Sequence, residues 1–213
     1  MAELVLPFVV RTERAAPPIR TDALEAAARG VLLILTDPRP EWHEAIAAWD
    51  AQRIRKVVRR ARGAEWQRAV ALDGLTVTQD SAEVRVFPPI PMDAWPRDLA
   101  RLQVGGTDLD DPPPPPVAPG TPLVLLSPEY EMTAGKAMAQ AAHAAQLGWR
   151  ASTSVDRSAW RDAGFPLAVR TATPAQWADA VRGGAPVVQD AGFTEVEPGA
   201  QTALARLPWL CGR

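Results

Sequence analysis

The chain has 213 residues, 47% of them hydrophobic, and a formal net charge of −2. Its length and composition fit one large or two small globular domains with a buried core. The near-neutral charge argues against a protein that coats nucleic acid by bulk electrostatics. No run approaches the roughly 18 apolar residues of a membrane span, and no apolar stretch near the amino terminus is long enough for a signal peptide. A cytoplasmic protein without membrane contact is expected.

From the amino terminus, Leu4 to Val10 is an apolar run bounded by charge, the pattern of a buried strand. An alanine-rich helix is predicted from about Asp22, a second strand near Ile54 to Arg59, and a helix around Trp66. Strands near Leu75 to Thr78 and Glu83 to Phe87 follow, with a closing helix over Ala94 to Leu102. Gly105 to Asp111 and the five prolines Pro112 to Pro116 then break regular structure, because proline lacks the amide donor and fixes its backbone angle. Residues 105–120 thus read as a linker, the prolines forming a semi-rigid polyproline spacer of roughly 15 Å at ~3.1 Å per residue. Beyond it come a strand at Leu123 to Leu126, an alanine-rich helix from about Ala134, a strand at Leu167 to Arg170 and a helix carrying Trp177. Strands at Pro186 to Gln189 and Thr202 to Leu207 complete the chain.

The two halves, 1–104 and 121–213, resemble each other. Val58-Arg59-x-Ala61-x-x-Ala64-x-Trp66-x-x-Ala69-Val70 matches Val169-Arg170-x-Ala172-x-x-Ala175-x-Trp177-x-x-Ala180-Val181 without a gap, and Ala48-Trp49 pairs with Ala159-Trp160 at the same offset. One residue of slippage later, Gly74-x-x-Val77-x-Gln79-Asp80 pairs with Gly184-x-x-Val187-x-Gln189-Asp190. Alternating strands and helices in duplicate predict an α/β fold. The expected architecture is a tandem pair of small mixed-sheet domains with helices packed on the sheets, joined as an intramolecular pseudo-dimer.

Chemistry-bearing residues concentrate in the second half. Thr133 suits a helix cap, with Gly135 and Lys136 in the first turn. Lys136, Gln140 and His143 recur at spacings of four and seven, which puts them on one helical face among alanines. Only Lys56 and Lys136 are lysines in a chain whose other cations are arginines, so each lysine invites a specific role. Asp190 closes a strand, where a carboxylate faces a ligand crevice in open α/β sheets. Gly192, Thr194, Pro198-Gly199 and Thr202 shape the loop that follows. Taken singly these are an ordinary exposed lysine, a surface glutamine, a backbone-satisfied histidine and turn residues. In the first half, Arg53 to Arg68 is the one dense basic cluster, either a solvated face or a phosphate-binding patch through Arg55, Arg59 and Arg60. The single cysteine, Cys211, has no intrachain partner, and His43 and His143 fall in different halves, so no metal or cofactor is expected.

The run Gly135-Lys136-Ala137-Met138-Ala139-Gln140-Ala141-Ala142-His143-Ala144, with Asp190-Ala191-Gly192-Phe193-Thr194 and Pro198-Gly199-x-x-Thr202, resembles the type-2 peptidyl-tRNA hydrolases over about ninety residues. The resemblance implies that family's compact α/β fold and hydrolysis of the ester joining a peptide to the terminal ribose of its tRNA. Lys136, Asp190 and Thr194 match its proposed active-site positions, with His143, Gln140 and Thr202 nearby. Asp190 would orient or activate water, and Lys136 would stabilise the ester oxygen or hold the terminal phosphate. Thr194 would hydrogen-bond water or substrate, and His143 is an alternative base. Phe193 stands where the family often has a basic side chain, and Leu126-Ser127-Pro128-Glu129 replaces its common Val-Arg-Thr-Asp. Aligning the helices places Asp22 opposite Lys136 and Arg29 opposite His143, so the first half reads as a degenerate copy. Two other functions fit the same residues: a non-catalytic RNA- or protein-binding module, and a hydrolase of another small ester or amide.

Overall fold

A computed structural model describes residues 2–192 and 195–210. It contains two mixed sheets. The first half supplies β1 (Leu4–Arg11), α1 (Arg20–Leu35), α2 (Pro40–Asp50), β2 (Lys56–Ala61), α3 (Gly63–Ala71), β3 (Leu75–Gln79), β4 (Ala82–Val86), a short β5 (Ile90–Pro91) and α4 (Arg97–Ala100). The second supplies β6 (Leu123–Leu126), α5 (Ala134–Ala151), α6 (Ser154–Asp162), β7 (Ala168–Thr171), α7 (Pro174–Arg182), β8 (Val187–Gln189) and β9 (Gln201–Arg206). The sheet orders are β2-β1-β4-β3, with β5 added against β1, and β7-β6-β9-β8. In each the first pair is parallel and the other two are antiparallel, so the two halves share one topology. Among the described residues no helix is long and apolar enough to cross a membrane.

The repeat extends to details that composition alone would not produce. The indole N–H of Trp49 donates to the carbonyl of Arg55 at 2.9 Å, and that of Trp160 to the carbonyl of Pro166 at the same distance. The residue before each carbonyl, Ile54 or Phe165, has a left-handed backbone, at φ 51° and 57°. That conformation is costly for a β-branched or aromatic side chain, so the tryptophan bond and the packing around it must hold the turn. It also explains why the second strand starts at Lys56 and not at Ile54. Two further differences from expectation have local causes. Pro40 opens α2 as a separate helix, matched by α6, where one alanine-rich helix was expected, and the closing helix shrinks to the four residues of α4. The one-residue slip between the copies falls at the bulge between Val188 and Gln189, so that by strand pairing buried Val77 matches buried Val188.

The inner layer is the helix pair α1 and α5. Helix α1 lies on β3 and β4 of its own sheet and reaches β7 of the other; α5 lies on β8 and β9 and reaches β2. The contact faces are made of small residues, with Ala23, Ala26, Ala27, Ala137, Ala141 and Ala144 all fully buried, and one apolar cluster runs through both halves. Trp66 of α3 and Trp177 of α7 pack on the outward faces of the two sheets in separate clusters, which accounts for their duplication. The 105–120 segment is free of helix and strand, but it is docked and does not act as a free spacer. Thr107 accepts from the Ala134 amide and Asp110 from the Arg20 amide, tying the first turns of both inner helices. Asp111 receives the amide and hydroxyl of Thr21, and Arg170 reaches Pro115.

Two glycines in these helices test the packing in opposite directions. A Cβ on Gly148 would sit 2.8 Å from Ala205 Cβ and 2.9 Å from Leu207, whereas on Gly30 its nearest neighbour is Phe8 at 3.4 Å, an ordinary contact. In urea unfolding, Gly148→Ala should destabilise by about 1–3 kcal/mol despite its better helix propensity. Gly30→Ala should be neutral or stabilising by up to ~1 kcal/mol.

Candidate functional site

The site lies in a cleft of about 570 Å³ between the halves, walled by α5, the end of β8 and the residues leading into β2. Thr133 caps α5: its hydroxyl accepts from the Lys136 amide at 3.3 Å, and its own amide and hydroxyl donate to Glu195 at 2.8 and 2.7 Å. The loop after β8 is thereby fastened to the first helical turn. Gly192 is required there, because its φ is +76° and a Cβ would meet Pro198 at 2.5 Å.

The structure brings Lys136, Gln140 and Asp190 together. Lys136 Nζ lies 2.5 Å from Asp190 Oδ2, Gln140 Nε2 donates to the same oxygen at 2.7 Å, and the Gly192 amide donates to Oδ1 at 2.8 Å. The Thr202 hydroxyl, fully buried behind the cleft, donates to Gln140 Oε1 at 2.5 Å and so fixes which way the amide points. The helical stripe and the strand-end carboxylate thus form one relay, Thr202 to Gln140 to Asp190, with Lys136 on the cleft side. Burial of the ion pair at about a tenth exposure strengthens its attraction over that of a surface pair, while the glutamine and glycine donors compensate the carboxylate's lost hydration. Gly135 lines the cleft beside them. Thr194 and Phe193 lie outside the described residues, as does Cys211.

His143 also lines the cleft, but its neighbour is from the other half. Lys56 Nζ lies 3.2 Å from His143 Nδ1, 2.5 Å from Gln146 Oε1 and 3.3 Å from the Ile54 carbonyl, with the Trp49 ring at 4.8 Å. These three acceptors match the three N–H bonds of an ammonium. The amine and Nδ1 share one hydrogen bond, whose direction follows the protonation of the pair. Burial holds His143 well below its usual pKa of 6.5, and the nearby cations Lys56, Lys136 and Arg150 push the same way. Burial likewise lowers Lys56 far below the ordinary lysine value, with Arg150 adding to the shift. Gln146, whose Nε2 donates to Asp50 at 2.5 Å, completes this network.

The basic cluster of the first half does not form one surface. Arg55 lines the cleft with Arg53, and pairs with Glu3 at 3.3 Å. Arg59 is turned to the opposite face of the sheet, where it donates to the carbonyls of Ala100 and Leu102 and stacks on Trp95. Arg60 holds Gln103 at the strand edge. Alternation along β2 separates Arg59 from Arg60, and the left-handed turn at Ile54 sends Arg53 and Arg55, which precede the strand, toward the cleft. Lys56, singled out by rarity, is the residue of this stretch that bonds His143. Gln146 and Asp50 were missed because each reads alone as an ordinary polar position.

The equivalent place in the first half is built differently. Asp22, at the position of Lys136, accepts from the amide and hydroxyl of Ser81, and Arg29, at the position of His143, donates to Gln79. Among the described residues no group of three His, Cys, Asp or Glu side chains could hold a metal ion. No family model and no curated protein matches the chain.

The His143 environment has a measurable consequence. Because its folded pKa is depressed, the unfolded chain binds the proton first as pH falls. The histidine's contribution is therefore intact above about 6.5 and is lost from there down to the folded value, at up to about 1.4 kcal/mol per pH unit. Urea midpoints compared at pH 7.5 and 5.5 should fall for the wild type and fall less for His143→Gln.

Proposed function

We propose that the cleft hydrolyses the ester bond of peptidyl-tRNA, with 121–213 as the catalytic copy and 1–104 as a degenerate copy of a type-2 peptidyl-tRNA hydrolase-like fold. The observation that carries this reading is the buried Lys136–Asp190 pair, oriented by Gln140 and Thr202, in a cleft where no serine or cysteine lines the wall among the described residues. The Thr133 hydroxyl in the wall is committed to Glu195 and the Lys136 amide, so water serves as the nucleophile. Asp190 accepts two donors on Oδ2 and one on Oδ1, leaving a lone pair on Oδ1 to orient water toward the ester carbon. Lys136 stabilises the negative charge that develops on the carbonyl oxygen, and His143, in the cleft wall, exchanges a proton with water or the leaving oxygen. Water adds to the carbonyl, the ribose oxygen leaves with a proton, and the products are a free peptide acid and a tRNA with its terminal hydroxyl restored. Arg53 and Arg55 at the cleft mouth offer cations to the acceptor-end phosphates.

Release of N-acetyl-aminoacyl groups from tRNA tests the reading. Lys136→Ala and Asp190→Asn should each lower the rate by about 10²–10³ while the circular dichroism stays native. Rates equal to wild type in both variants would dispose of the proposed site. The close pairing of Lys136 with Asp190 also suits a static, non-catalytic module, and salt-sensitive tRNA binding without turnover would select that reading.

A further inference from the structure

The duplication creates two clefts between the halves, and the first half plugs its own. Glu25 stands six residues after the cap of α1, as Ala139 does after the cap of α5. The Glu25 carboxylate accepts from the Val169 amide on the free edge of β7 at 3.1 Å and from Arg170 at 2.8 Å. Only about 180 Å³ remains beside it, bordered by Asp111 and Pro114 of the docked linker. Val58 is the counterpart of Val169: it sits opposite Phe8 in β1 as Val169 sits opposite Val124 in β6.

On an edge strand in a parallel pair, alternate residues turn their amide and carbonyl outward. Arg60 does so, donating to the Gln103 carbonyl, while the carbonyl of Arg55 turns inward to accept from Leu6. Val58 and Lys56 share the outward phase of Arg60, and both line the 570 Å³ cleft. At the α5 position equivalent to Glu25 the cleft is lined by Ala139, whose methyl cannot accept a hydrogen bond. The edge therefore offers an acceptor at the Lys56 carbonyl and a donor at the Val58 amide, the pair that one residue of an added strand needs.

We propose that this β2 edge docks the backbone of an extended N-acylated peptide. A peptide residue opposite Val57 donates its amide to Lys56 and places its carbonyl oxygen on the Val58 amide, where the other cleft holds the Glu25 carboxylate. A neutral carbonyl suits the site better than a carboxylate, because Arg59, the counterpart of Arg170, is committed to Ala100 and Leu102 on the far face. The choice of a peptide rests on the hydrolase reading, and the site would hold the peptidyl portion of that substrate beside Lys136 and Asp190. The first copy then contributes substrate specificity through its edge strand.

The test is titration of the full chain with N-acetyl-trialanine N-methylamide, which has no ester, followed by amide NMR. The Val58 resonance should move on binding. Ala139→Gln, which puts a neutral side-chain acceptor where the other cleft holds the Glu25 carboxylate, should weaken binding at least tenfold while the circular dichroism stays native. Val58→Pro removes the outward donor without breaking a ladder bond to β1 and should weaken binding similarly. Absence of binding to the wild type, an unmoved Val58 amide, or equal affinity in wild type and both variants would each overturn the docking site. Peptide binding of the expected pattern in a protein that releases nothing from N-acetyl-aminoacyl-tRNA would support the docking site and remove the hydrolase reading. Hydrolysis with a KM that ignores both variants and peptide length would do the reverse.

Discussion

The contact on which the rest of the structure depends is the packing of α1 against α5. Each is an alanine-rich helix thin enough to lie between two sheets and touch its partner, and in doing so each reaches the edge strand of the opposite sheet. Small side chains bury little area individually, so the stability of this layer comes from close approach and dense packing rather than from large apolar residues. Helix α5 cannot present Lys136, Gln140 and His143 to a cleft unless its other faces are satisfied. The first half satisfies one of them. The site is accordingly a property of the pair, since one of its walls is β2 and His143 shares a hydrogen bond with Lys56.

Duplication gives two equivalent clefts, and the sequence differences between the copies decide their fates. Glu25 against Ala139 fills one and leaves the other open. Asp22 against Lys136 removes the cation that would pair with a strand-end carboxylate, and the carboxylate of Asp22 is absorbed by Ser81. The linker adds to the asymmetry, because Asp111 and Pro114 border the filled cleft while Val104 and Gly105 only skirt the open one. A segment rich in proline has little conformational entropy to lose on docking, which suits it to strapping the first turns of both helices.

Much of this was legible in the sequence where the signal is local or periodic. The alternation of strands and helices, the matched tryptophans and the 3.6-residue spacing of Lys136, Gln140 and His143 each follow from geometry within one element. The Gln140 to Asp190 contact was approachable because both residues fall within one copy of the repeat. What was not legible is what one half does to the other. Lys56 bonding His143, Glu25 bonding Val169 and Asp110 accepting from Arg20 join positions with no periodic relation, and nothing in either stretch announces its partner. The turn at Ile54 was hidden for a different reason: isoleucine disfavours a left-handed backbone, so propensity extends the strand through a position that the Trp49 indole bond turns aside.

The retention of a copy without the lysine and histidine has a physical basis in these contacts. Cutting the chain at the linker would expose the buried alanines of α5 and leave Gln146 without Lys56 and Asp50. An exposed apolar helix face and unpaired buried polar groups are both costly, and they would fall on the helix that carries the candidate site. The first half supports that helix through two kinds of residue, the apolar positions of α1 that fill volume against it and Lys56, which bonds His143 and Gln146. Asp22 and Ser81 bond each other and line neither cleft, so their exchange for other polar residues leaves both the helix pair and the open cleft intact.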